Sequence, residues 1–156
     1  MHKKDILARI EDARKAHFTW LNRIERLIEN VFVSDELIEL DPKESEFGDW
    51  LYEDIGKCKS SLFFLESLQL IEKEHLKLHE IYFQIYRIYF IECKRNPLTA
   101  LFLGERKNLT PEQEIEAISN YNQLLDASNK LMKQLNTLER KIRISNDNAL
   151  EKCLAA

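Results

Sequence analysis

The segment HLKLH at residues 75–79 places two histidines one helical turn apart inside a long apolar run, SLFFLESLQLIEKEHLKLHEIYFQIYRIYF. A neutral imidazole offers one donor and one lone pair, and that lone pair is the commonest protein ligand for transition metals. On a helix His79 lies about 40° around from His75 and one turn along, so the two rings can converge on one point. They make half of a site.

The other half is sought on the first helix. Ile6, Ile10, Ala13, His17, Trp20, Ile24, Leu27 and Val31 recur at steps of four and three, a continuous stripe on one helix face that includes His17. His75 lies on a second such stripe, Phe64, Leu68, Ile71, His75, Leu78, Tyr82, Ile85 and Tyr89. Taken singly, each histidine has a plain reading as a core residue with a hydrogen-bond partner. Three inward imidazoles flanked by apolar residues are different, because their desolvation costs several kcal/mol that a bound cation removes. Imidazole nitrogens suit Zn, Cu, Fe or Ni, and a closed tetrahedral site needs one further ligand. A di-iron centre would need two Glu-x-x-His sets, but only Glu72 and His75 have that spacing, and Arg14 holds the matching place before His17.

The elements that must position these residues are helices. Among 156 residues there are three glycines and three prolines, the composition of helices joined by few turns, in one domain of ordinary size. The first helix is predicted over Lys4 to Val31. An acid-rich loop, SDELIELDPKESEFG, follows, in which Asp41-Pro42 forces extended or turn backbone and Gly48 permits angles that other residues avoid. A short helical segment opens at Trp50 and ends near Gly56. The longest helix spans Lys57 to Lys94 and stops at RNP. The phrase LTPEQE announces the last, with Thr110 as N-cap, Pro111 at the first helical position and acid in the first turn, continuing to Ser145. Its stripe is Ala117, Tyr121, Leu124, Ser128, Leu131, Leu135, Leu138 and Ile142, where Ser128 is the one polar member and could orient a ligating imidazole. Apolar faces of this kind close only on one another, which predicts an all-α, antiparallel four-helix bundle of three long helices and one short over residues 1–145, with 146–156 a frayed tail. Trp20 and Trp50 are expected as core anchors. His2 has no role.

Three phrases carry a resemblance: AHFTW (Ala16, His17, Trp20), LDPKESEFGDWL (Asp41, Phe47, Gly48, Trp50, Leu51) and EHLKLH (His75, His79). In order and approximate spacing they resemble the chemoreceptor zinc-binding (CZB) domain, which has His-x-x-Trp, then Cys-x-[Phe/Leu]-Gly-x-Trp, then His-x-x-x-His. The likeness runs from about residue 13 to 80 and is softer over the last helix. It implies Zn2+ as the cofactor, with His17, His75 and His79 as ligands. Where the family has its cysteine ligand this chain has Ser45, whose hydroxyl stays protonated near neutral pH and is a poor zinc ligand. The fourth place is therefore open to water, to Ser45, or to a carboxylate from Asp41, Glu44, Glu46 or Asp49, with water or a carboxylate ranked first. Cys58 on the next helix is a possible stand-in for the missing thiolate, though a buried small hydrophobe is the commoner use of such a residue.

Charge and composition set the partners. The net charge is −4, and no Lys/Arg stripe interleaves with aromatics, so nucleic acid is not expected. No segment approaches the roughly 20 apolar residues that span a bilayer, and the N-terminus lacks an apolar signal core. Three widely spaced cysteines argue against a disulfide framework and fit a reducing, cytoplasmic setting. From Ile81 to Ile91 apolar residues occur around most of the helix, which calls for a thicker local core, a homodimer interface or a docked domain. The resemblance implies a sensory or regulatory module of bacterial signalling, of the chemotaxis or cyclic-di-GMP kind, that modulates a partner receptor or attached output domain by metal occupancy. The alternatives are a metal-degenerate dimerisation module and, further off, a three-histidine zinc hydrolase; the chain is read as a non-enzyme.

Overall fold

The computed structural model describes residues 3–29, 31, 33, 35–93 and 109–146. The expected helix end at Lys94, the loop that follows it over 95–108 and the expected tail beyond Asn146 lie outside these residues. Among those described, the chain is all-α. Helix α1 (Lys3–Ile28) is followed by a single 3-10 turn (Asp35–Leu37). Helix α2 (Glu46–Asp49) is prolonged by a π-helical turn (Trp50–Asp54) and a 3-10 stretch (Ile55–Ser60). Helix α3 (Leu62–Tyr86) is prolonged by a π-helical turn (Arg87–Glu92), and α4 (Pro111–Ile144) closes the fold.

Paired contacts give the topology. Arg9 meets Asp54 while His17 meets Phe47, so the α2 segment runs back along α1. Lys141 reaches the Phe63 carbonyl while Arg87 pairs with Glu116, so α4 runs back along α3. Lys3 bonds the Ser145 carbonyl and Arg14 bonds Glu139, so α1 and α4 are also antiparallel. The result is an up-down-up-down four-helix bundle whose second member is short. The seam between α3 and α4 is the most extensive, and α1 packs across α4 and α2.

The stripes form the core as the 3.6-residue period requires. Ile10, Ile24, Leu68, Ile71, Leu78, Leu131 and Leu135 are almost wholly removed from solvent, as are Trp20 and Trp50, and each large apolar side chain so buried contributes about 2 kcal/mol. Thr110 and Gln113 form a reciprocal capping box, which satisfies donors at the start of α4.

The boundaries correct the sequence reading in four places. Helix α1 ends three residues early because the Val31 N–H bonds back to the Arg26 carbonyl, an i→i+5 closure that breaks the register. Val31 is thereby exposed and Val33 takes the buried place. The short helix begins at Glu46 rather than Trp50, because the Ser45 hydroxyl caps it by accepting from the Gly48 N–H. Lys57–Ser60 belongs to the preceding 3-10 stretch, and α3 starts only after Ser61. Gly48 is helical, and it is needed for closeness rather than for unusual angles, since a Cβ there would collide with the Pro42 carbonyl.

Two further expectations change. The apolar surplus from Ile81 to Ile91 is largely absorbed within the chain: Ile81, Tyr82, Ile85, Ile88 and Tyr89 are buried, and Phe83 and Ile91 are exposed. Ile88 and Tyr89 lie three and four residues past Ile85 and so carry the same inward face into the π-helical turn at Arg87–Glu92. Cys58 is buried and disulfide-bonded, since wide separation in sequence does not prevent proximity in space. The expectation of unpaired, reduced cysteines loses that support. No helix among the described residues is long and apolar enough to cross a membrane.

Candidate functional site

Midway along the bundle the apolar core gives way to a polar layer. His17 comes from α1, His75 and His79 from α3, Ser128 from α4, and Ser45 from the cap of α2, and all five side chains are buried. The register that makes the stripes also makes this layer, because His17, His75 and Ser128 occupy stripe positions at matching heights. The rings of His75 and His79 lie 4.8 Å apart, centre to centre. Trp20 packs on His79 at 4.8 Å and Phe47 on His75 at 4.8 Å, shielding both rings from water. His17, Ser45, His75 and His79 share the wall of one small cavity of about 30 Å³, with Glu46 and Glu39 also in its lining. That is room for one ion or a water molecule or two.

Hydrogen bonds set the protonation of each ring. His79 Nδ1 lies 3.0 Å from the Leu40 carbonyl, so Nδ1 carries the proton and Nε2 presents a lone pair. His17 Nε2 lies 2.8 Å from the Ser128 hydroxyl. Ser45 donates its proton to the Pro42 carbonyl and accepts from the Gly48 N–H, leaving a long 3.4 Å approach to His75 Nε2. His75 Nδ1 is buried with no hydrogen-bond partner.

Burial holds all three imidazoles neutral. It is the main cause that lowers His17 to about 4, with the neighbouring His79 adding to it. Burial, then His79 and His17, lowers His75 to about 3. Burial also lowers His79, opposed by its bond to Leu40 and by the nearby Asp41. Neutral imidazole is the ligating form.

The structure thus brings the three sequence-predicted histidines to one cavity, although among the described residues no group of three or more His, Cys, Asp or Glu side chains is already set at metal-holding geometry. The fourth-place candidates separate. Ser45 is buried in the wall but spends its proton and one lone pair as a helix cap. Glu46 is exposed at the mouth, whereas Glu44, Asp41 and Asp49 are exposed and outside the cavity wall. Cys58, being disulfide-bonded, offers no thiolate. Sequence reasoning missed the Leu40 carbonyl that orients His79, for which a backbone atom gives no residue signal. It also missed the Trp20 Nε1 bond to the Glu39 carbonyl, which holds the 35–40 segment against the site.

Comparison with family models, with curated proteins and with solved structures gives no match to this chain.

Proposed function

We propose that this chain is a metal-responsive regulatory module, with zinc as the ion and His17, His75 and His79 as its protein ligands. The observation that carries the reading is the cavity itself: three neutral, desolvated imidazoles from two helices line one ion-sized space, and one of their nitrogens has no partner. An orphaned buried nitrogen costs about 1–3 kcal/mol, and a lone pair facing a cation would remove that cost. His79 is oriented as ligating histidines commonly are, with its far nitrogen tied to a backbone carbonyl. Water in the fourth place agrees with the capping role of Ser45.

Bound zinc supplies a fixed charge that draws its ligands together. Because His17 stands on α1 and the other two on α3, occupancy biases how those helices pack, and a partner or attached output domain can read that change. The resemblance to chemoreceptor zinc-binding domains supports bacterial signalling as the setting and a homodimer as the working form.

A second reading, a helical interaction module that has lost metal binding, is favoured by the absence, among the described residues, of a preset metal geometry and by serine in the cysteine's place. One experiment separates them. Protein purified without added metal is expected to carry about one zinc per chain by elemental analysis and native mass, and His75→Ala none. Wild-type protein that is metal-free and stays so after zinc dialysis would leave the second reading. The hydrolase alternative has little support, since a cavity of about 30 Å³ has no room for a substrate beside an ion.

A further inference from the structure

The geometry points to Ser128 as the residue that sets the site's affinity, by competing with the ion for His17. This rests on the metal-site reading above. The other two histidines have a nitrogen uncommitted to any hydrogen bond: His79 Nε2 presents a lone pair because Nδ1 is bonded to Leu40, and His75 Nδ1 has no partner. His17 differs. Its Nε2, the ring nitrogen that reaches farthest from the backbone, is bonded at 2.8 Å to Ser128 on α4. Ser128 is buried and is no part of the cavity wall. While that bond stands, His17 Nε2 is engaged by α4 although the ring lines the cavity, and among the described residues no three-ligand group is set to hold a metal.

Metal binding therefore exchanges one partner of His17 for another. The freed Ser128 hydroxyl can turn to a carbonyl one turn back on its own helix, as serine in helices commonly does, so release costs little on the α4 side. Removing the hydroxyl leaves His17 unsatisfied only in the metal-free state. That state alone is destabilised, and affinity rises by about tenfold.

The test is a Co2+ titration of wild-type and Ser128→Ala protein followed by visible absorption, together with imidazole nitrogen spectra of the wild type with and without Zn2+. The variant is expected to bind Co2+ about tenfold more tightly, and His17 Nε2 to pass from a hydrogen-bonded to a metal-bound signal. Equal or weaker binding by the variant, or metal on Nδ1 of His17, would make Ser128 a support for the ligand and overturn the inference while leaving the metal site intact. No Co2+ binding by either protein would overturn both. If the variant does not fold, the wild-type spectra decide alone.

Discussion

Acidifying the metal-free protein should unfold it through its histidines. In the unfolded chain each histidine titrates near 6.5, whereas in the fold burial lowers His17 to about 4 and His75 to about 3. Between those values the unfolded chain holds more protons than the native one, so stability is fully present above pH 6.5 and is lost as pH falls. Each such group removes about 1.4 kcal/mol per pH unit in its window. At pH 5 His17 and His75 together remove about 4 kcal/mol, and His79, also lowered, adds to the loss. That is a large share of a typical domain's 5–15 kcal/mol, taken here as an order of magnitude. Glu139, held low by its bonds to Arg143 and Arg14, acts in a different window, since its contribution is lost only below the ordinary carboxylate value. Urea unfolding in EDTA at pH 7, 6 and 5 measures the effect, and His75→Phe should flatten the slope by about one proton. A stability that stays level from pH 7 to pH 5 in the wild type would refute the claim that these rings are held neutral by burial.

Two substitutions test how α2 frames the site. Gly48→Ala would push a methyl into the Pro42 carbonyl and displace the turn that carries Ser45, at an expected cost of about 2 kcal/mol or more in urea unfolding; an unchanged midpoint would mean that the turn yields freely. Ser45→Cys keeps a side chain of similar size beside His75 while offering a thiolate, and should tighten zinc by at least about tenfold in competition with a chromogenic chelator. Unchanged affinity would show that position 45 does not face the ion.

The bundle was legible because its stripes are long and interrupted by few breakers. Once Ile10, Leu68 and Leu131 each fall on a single apolar face, the helices have only one another to cover those faces. The same periodicity placed His17, His75 and Ser128 at the core, since a polar residue in stripe register is carried inward by its neighbours. Where helical period changes, that logic fails. The i→i+5 closure at Val31 ends the helix and leaves Val31 exposed while Val33 packs inward, with no change of composition to announce it. The cap at Ser45 carries a sequence signal, a serine directly before acid in the first turn, and that signal competes with the reading of the same serine as a ligand.

The energetics of the polar layer bear on why such a layer would persist in this core. A bundle of this size needs no histidine for stability: replacing three buried imidazoles by leucine or phenylalanine would add apolar burial worth about 2 kcal/mol each and remove an acid liability. The layer is also not a satisfied hydrogen-bond network of the kind that fixes a unique core, because His75 Nδ1 has no partner and Ser45 approaches its Nε2 only at 3.4 Å. Natural cores seldom keep a half-satisfied layer at such cost unless another state satisfies it. The metal-bound state proposed above would be one such state, since a cation in the cavity would take up lone pairs that burial leaves unprotonated.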